Sequence, residues 1–380
     1  MNVAIVGGGI GGLCAAIALQ QVGVEVKVYE AAPALKPVGA GVGLAANAMQ
    51  ALQRLGVAEE TVARGKQLQA LVIFDESGNV VSNMDTRPLS SKYGINNFVI
   101  HRADLHEVLQ QRLQPGTLEL GKRSAGMQPQ GEKVQVAFTD GTQATADLLI
   151  AADGINSGIR QQLLPQSTPR YAGYTCWRGV VKNPGVNINK MISAETWAPQ
   201  GRVGLAPLLG NKVYWYACVN APQNDARMQR MAPGDLARHF AGLPAAVPAI
   251  LGATPPEQLI WNDIADLKPL RRFAYGRVLL LGDAAHATTP NMGQGACQAI
   301  EDAVVLGQCL QQEKNLGLAL ARYEQRRLAR TAKVIRLSRL LGAVSQWQNP
   351  LLRSARNAAF RTMPGAVTQS QMEWLYRVGF

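Results

Sequence analysis

The stretch NVAIVGGGIGGLCAAIALQQVGVEVKVYEA, residues 2–31, leaves few options for how this chain begins to fold. Val3 to Val6 form a short apolar run of the buried-strand kind, and Gly7, Gly9 and Gly12 follow as G-x-G-x-x-G. Helix formers run from Leu13 to Gln21, Gly23 ends them, and Val24 to Tyr29 alternate as a second strand closed by Glu30. Each glycine has a task in a strand–turn–helix unit that cradles a dinucleotide. Gly7 permits the tight turn, Gly9 lets a pyrophosphate approach the backbone, and Gly12 lets the helix lie close on the strand. The helix N-terminus turns free N–H groups and partial positive charge toward the phosphates. Glu30 stands where an acid accepts hydrogen bonds from ribose hydroxyls, which favours FAD or NAD over NADP. The motif by itself leaves FAD and NAD both open.

Further along, PVGAGVGLAANAMQALQRLGV carries a second glycine loop at Gly39, Gly41 and Gly43. Asn47 then reads as an N-cap for a helix over Ala48 to Leu55. FVIHRADLHEVLQQRL sets Arg102 between a strand and an amphipathic helix, where a cation can meet pyrophosphate. KVQVAFTDGTQATADLLIAADGINSGIRQQL reads as a hairpin turning at Asp140–Gly141, a buried strand, and Asp153–Gly154 before a helix. Asp153 thus lies at the carboxyl end of a strand, where α/β sheets bind ligands. From Tyr171 to about Leu267 short aromatic strands dominate, as in GYTCWRGVV, RVGLAPLL and KVYWYACVN. They predict an antiparallel sheet that walls a flat substrate. GRVLLLGDAAHATTPNMGQGACQAIEDAVVL, residues 276–306, then returns as strand, glycine loop and helix. Arg330, Lys333, Arg336 and Arg339 predict a broad solvated face on a late helix, with Val334, Leu337 and Leu341 turned inward.

The 380 residues and 47% hydrophobic content suffice for two to three domains. The net charge of +12 suits a basic surface, but no basic stretch is interleaved with stacking aromatics, so nucleic acid is not an expected partner. Five cysteines without C-x-x-C spacing argue against a disulfide framework or a metal site and for a reducing compartment. Neither a signal peptide nor an apolar run of membrane-spanning length is read, which predicts a cytoplasmic protein. Contact of the basic helices with a membrane surface stays open.

Three blocks stand in order: GGGIGG with Glu30, LLIAADGINSGIR, and LLLGDAAHATTPNMGQGACQAIEDA. Together they closely resemble the FAD-dependent aromatic hydroxylases of the para-hydroxybenzoate hydroxylase type, the single-component class A flavin monooxygenases. The resemblance runs nearly the length of the chain, toward the branch of urate hydroxylases, quinolone hydroxylases and the zeaxanthin epoxidase core. It implies that Gly7, Gly9, Gly11, Gly12, Glu30 and Ala31 hold the ADP half of FAD. Gly43 would lie near the flavin and Arg102 near the pyrophosphate. Asp153 and Gly154 match a D-G motif that touches FAD and is implicated in NAD(P)H binding. Gly282 and Asp283 match a G-D motif at the ribityl chain. Pro290 and the segment Gly293, Gln294, Gly295, Ala296 and Cys297 match the loop along the isoalloxazine.

The resemblance also implies the chemistry: transient NADH or NADPH reduces FAD, O2 adds to give a flavin C4a-hydroperoxide, and an aromatic or heteroaromatic small molecule is hydroxylated. Arg202 and Tyr214 match an Arg and a Tyr that contact substrate in the urate branch, and with Pro290 they are the candidate catalytic residues. Cys176-Trp177-Arg178 stands where urate enzymes carry Asn, which argues against urate itself. The place of His286 is explained by the adjoining G-D pair. The expected architecture is α/β: a Rossmann-like FAD-binding domain with an inserted antiparallel β substrate domain and C-terminal helices. Its divisions are residues 1–170, 171–267, 268–316 and 317–380, in a monomer or homodimer. A reductase of the same fold without oxygen insertion, and a non-catalytic flavoprotein binding lipid or a partner, are the alternatives.

Overall fold

A computed structural model of the chain describes residues 1–34, 40–363 and 372–380, so Gly39 lies outside the described residues. The first strand, Asn2–Val6, pairs in parallel with Glu25–Tyr29 on one side and Leu148–Ala151 on the other. Leu148–Ala151 in turn pairs in parallel with Val278–Leu280, so the chain returns to this sheet after residue 270. Parallel strands are covered on both faces, which is why these segments are continuous apolar runs rather than alternating ones. Helix Ile10–Gln21 lies against helix Gly295–Gln312, and Gly307 is where a Cβ would meet Ala18 at 3.2 Å. The hairpin turns at Asp140–Gly141 as expected, between Lys133–Phe138 and Gln143–Ala146.

The aromatic strands form a second, seven-stranded sheet. Arg170–Lys182, Lys212–Asn220, Gly201–Leu208 and Ile192–Ala198 lie side by side, with Ile260–Asp266 beyond the first. These neighbours are antiparallel. At the far edge, however, Ala70–Asp75 joins Ile192–Ala198 in parallel and carries Val80–Asp85 with it. The sheet is therefore mixed at that edge, and its outer hairpin comes from a segment read in sequence with the nucleotide-binding part. Alternation sorts its side chains. Trp177, Val203, Trp215 and Ala217 pack behind it with Leu236 and Phe240. Tyr174, Cys176, Arg178, Glu195, Arg202, Tyr214, Tyr216 and Cys218 occupy the other face by the strand registers.

The chain ends in helices Leu316–Ser345 and Pro350–Thr362. The expected solvated basic face is only half there: Lys333 and Arg336 are exposed, but Arg330 and Arg339 turn to carboxylates. Arg330 pairs with Glu301 at 2.7 Å, Arg339 with Asp266 at 2.9 Å, and Lys333 sits 4.0 Å from the centre of the Trp374 ring. Val334 is buried, but Leu337 faces solvent and Leu341 is half-buried. Three residues turn a helix by about 300°, so four positions at that spacing sweep roughly half its circumference and cannot share one face.

Candidate active site

The glycine turn is built as its spacing demands. Gly7 adopts φ +108°, and a Cβ there would stand 2.3 Å from the Ala152 carbonyl oxygen. At Gly12 a Cβ would stand 1.9 Å from the Gly7 carbonyl oxygen. The helix starts at Ile10, inside the motif, with Gly9 as its N-cap. Gly11 is accounted for by packing, since a Cβ would press on Leu281 and Ala299. The Glu30 carboxylate accepts from the Gly8 N–H at 2.7 Å and the Ala32 N–H at 2.8 Å, so it clasps the loop and the bend containing Ala31. His106, not singled out from sequence, braces the same loop, its Nε2–H donating to the Gly8 carbonyl at 2.6 Å. Burial pushes its pKa down, which keeps the ring neutral. Arg102 opens helix Arg102–Gln111 and is exposed.

Asp153 follows strand Leu148–Ala151, and its Oδ1 is buried without a hydrogen-bond partner. Burial raises its carboxyl above the usual range despite opposing bonds from Ser157 and nearby backbone. Gly154 behind it has φ +82°. Asp283 likewise keeps accessible surface while burial raises its pKa, the combination of a group on the floor of a cleft. Gly9, Gly43 and Gly293 each have no protein atom, chain neighbours aside, within 4 Å of where a Cβ would be. The unpartnered Oδ1 of Asp153, the accessible Asp283 and these bare stretches of backbone fit an extended dinucleotide with a flat head group.

Loop 290–295 is held from below. Pro290 begins a short 3-10 turn, and Gly293 ends it at φ +62°. A Cβ on Gly295 would come no nearer than 3.8 Å to Asp283 Oδ1, so the protein itself leaves room there. Gln294 and Cys297 turn inward instead of toward a ligand. Gln294 Oε1 accepts from Asn47 and Gln298, each at 3.0 Å. The Cys297 sulfur is fully buried, accepts from the Ala45 N–H at 3.5 Å and donates to the Gly293 carbonyl at 3.4 Å. Only the backbone of these two positions remains for a cofactor. Ala296 is half-buried between them. Asn47 is not a cap: helix Ala46–Arg54 starts one residue earlier, and the Asn47 amide also donates to Glu301.

Beneath the loop lies a buried ionic cluster that sequence reasoning missed. Asp302 accepts from the Gly282 N–H at 3.1 Å, His286 Nε2 at 2.6 Å and Arg327 Nε at 2.6 Å. Arg327 also reaches Glu301 at 2.6 Å and the Gln298 side chain at 2.7 Å. His286 and Arg327 hold the Asp302 pKa down to about 2 against the pull of burial. Nothing in the sequence separates Arg327 from its exposed basic neighbours.

On the facing sheet, Arg202 is only 4% exposed. It gives one N–H to Glu195 at 2.9 Å and another to Asn291 of the loop, while its Nε stays unpartnered. Glu195 also accepts from Tyr216 at 2.6 Å and Trp197 Nε1 at 2.9 Å. Tyr174 donates to Asn291 at 3.2 Å. Tyr214 lies at the other end of the face, its ring 2.6 Å from where a Gly41 Cβ would be. Burial keeps it a neutral phenol. The structure thus brings Arg202 beside the loop of Pro290 and Tyr214 beside strand Gly41–Leu44. Glu195 could have been found from alternation in ISAETWA, which puts it on the face opposite Ala194 and Thr196.

A family model described as FAD binding domain matches residues 1–338. An aurachin C monooxygenase/isomerase from Stigmatella aurantiaca is 39% identical over 368 residues, 96% of this chain and 94% of that protein. An FAD-dependent urate hydroxylase from Klebsiella pneumoniae is 36% identical over 344 residues, 88% of each chain. The crystal structure of Klebsiella pneumoniae HpxO with FAD and uric acid is similar at a TM-score of 0.90 and 32% identity, covering 98% of this chain and 95% of that one.

Proposed function

The chain belongs to the FAD-binding-domain family of flavin-dependent hydroxylases, and from that premise we propose which of its residues carry the reaction and on what. It is an FAD-dependent monooxygenase that consumes NAD(P)H and O2 and hydroxylates an aromatic or heteroaromatic small molecule. The balance is substrate C–H, O2, NAD(P)H and a proton going to C–OH, water and NAD(P)⁺. Bound FAD supplies the oxygen activation; the protein supplies binding, orientation and dryness.

The observation that carries the assignment of roles is the apposition of loop 290–295 and the Arg202 face of the large sheet, joined by the contacts of Asn291 with Arg202 and Tyr174. The Gly7–Gly12 turn, Glu30 and Asp153 hold the nucleotide half. Gly282, Asp283, Gly43 and the backbone of Gly293 to Cys297 hold the flavin half. The N-terminal N–H groups of helix Gly295–Gln312 would stabilise negative charge on a flavin held by this loop. Pro290 and Tyr214 flank the substrate, and Glu195 and Asn291 fix Arg202 in one rotamer. Residues 1–170 and 268–316 act as the cofactor domain and 171–267 as the substrate domain, with hairpin 70–85 working as part of the latter.

Among the described residues no helix is long and apolar enough to cross a membrane, and we take the enzyme to act in the cytoplasm as a monomer or homodimer. The relatives' names point to bicyclic and monocyclic heteroaromatics as the first compounds to try, 4-quinolones and 6-hydroxynicotinate, with urate as the comparison that Cys176-Trp177-Arg178 argues against. The test is substrate-stimulated NAD(P)H oxidation with one labelled atom of O2 entering the product. Tight FAD binding with no label incorporated from any substrate that stimulates oxidation would refute the reading.

A further inference from the structure

Arg178 and Arg202 share the substrate-facing side of the large sheet, and their surroundings differ. Arg202 has its charge answered within the protein: Glu195 lies 2.9 Å away, and both are shielded from water. A buried pair of this kind is close to neutral toward anything outside it, and breaking it is expensive because it strands a charge. Arg178 stands one register row away on the same face, opposite Tyr216. Among the described residues it has no carboxylate partner. One N–H goes to the neutral Asn262 side chain at 2.6 Å, and its Nε is buried with nothing to bond. Its charge is felt by two neighbours on the face, Tyr214 and Cys176.

The other groups on this face do not compensate it. Tyr214 and Tyr216 are phenols held neutral by burial, and Glu195 is already shared among Arg202, Trp197 and Tyr216. Cys176 and Cys218 face one another across the strands as free thiols. Lys182 and Lys212 lie at the far end of the same face, so of its two arginines the one whose charge is unanswered is Arg178. An unbonded guanidinium N–H in a poorly solvated place costs free energy unless a ligand oxygen meets it.

We propose that Arg178, and not Arg202, is the cation this enzyme offers to its substrate, and that it selects aromatic rings bearing an ionisable ring oxygen. The oxygen binds as the anion between Arg178 and the neutral Tyr214 hydroxyl. An ionised ring oxygen enriches the ortho and para carbons, which is what an electrophilic oxygen transfer requires. The Arg202–Glu195 pair acts as a positioning unit that ties the sheet to Asn291. This inference rests on the proposed function for placing an aromatic substrate here.

The test uses the FAD-loaded protein and 4-nitrophenol, whose phenolate is read by its own absorption band in difference spectra. Bound to the wild type, the probe should titrate lower than in water by about one to three pH units, the range for an opposite charge at close contact. Arg178→Met should abolish that shift and Arg178→Lys should restore part of it. Removing the balanced pair together, Glu195→Gln with Arg202→Met, should leave the shift in place. No shift in the wild type, or a shift that survives Arg178→Met and disappears in the double variant, overturns the assignment. Because the readout needs no turnover, those results would refute Arg178 even if labelled oxygen were incorporated. A shifted probe without incorporation would refute the proposed reaction instead.

Discussion

Replacing Asp302 with Asn should destabilise the protein and loosen its hold on FAD together. The carboxylate has donors on both oxygens: Oδ2 takes the Gly282 N–H and His286 Nε2, and Oδ1 takes Arg327 Nε. An amide has one NH2 group, so in either orientation it turns donors against donors. Asp302 is fully buried, and removing one partner of a buried ion pair costs about 3–5 kcal/mol. Unfolding entropy of about 2.1 cal/mol/K per residue gives roughly 0.8 kcal/mol/K for 380 residues melting as one unit. The expected fall in Tm is then about 4–6 °C. The lost Gly282 bond should also free the Gly282–Asp283 turn, whose φ of +61° at Gly282 is fixed from below by this contact. Differential scanning calorimetry and the FAD-to-protein ratio after gel filtration read the two effects. The same carboxylate makes a pH prediction. Its pKa lies at about 2, below the ordinary value of 3.8, so its stabilisation is complete above the unfolded pKa and is lost as pH falls through 2. That acid-side loss of stability should be missing from Asp302→Asn. A variant melting within about 1 °C of the wild type with full FAD content would refute the role given to the cluster.

Gly12→Ala should yield little folded, FAD-loaded protein, because its methyl would stand 1.9 Å from the Gly7 carbonyl oxygen; recovery of yellow protein at wild-type level would contradict the turn geometry. Gly295→Val should behave differently. Its nearest protein neighbours are 3.8–3.9 Å away, so the FAD-free fold should melt within about 1 kcal/mol of wild type while FAD retention is lost; unimpaired retention would move the flavin from this loop.

Much of this was legible in sequence because backbone geometry forces residue choice. A turn at φ +108° and a helix packed onto a carbonyl admit glycine alone, so Gly7 and Gly12 announce their roles. Arg202 and Tyr214 were named only through the family resemblance, and it is the strand register that puts them on one face, whereas the parallel strands showed as unbroken apolar runs. Polar side chains carry no such signature. Asn47 looked like a cap because caps and buried amides draw on the same residue. Gln294 and Cys297 sit in a cofactor loop yet serve the protein beneath it. Arg330 looked solvated because a charged residue in an amphipathic helix is exposed unless a carboxylate elsewhere in the chain meets it. That carboxylate lies 29 residues away for Arg330, and 26 for the unread Arg327, separations no local pattern reports.

The cluster also changes what the C-terminal helices are for. Glu301 and Asp302 on the return helix meet Arg327 and Arg330 on the long helix, two charges against two, so the buried site is balanced without solvent. Arg330 then reaches on to the Trp374 carbonyl at 2.8 Å, and Gln50 of the helix after the Gly41–Leu44 strand bonds the Tyr376 carbonyl at 3.1 Å. Residues 374–376 therefore tie the long helix to helix Ala46–Arg54, where Leu375 and Tyr376 pack with Ala46 and Val334. A buried ion pair contributes little net stability over an apolar pair, but it tolerates only one register of the elements it joins. Here the register in question is that of the turn Gly282–Asp283 against the long helix, and an apolar contact able to slide would leave Asp283 free to move from the place proposed for it beside the flavin.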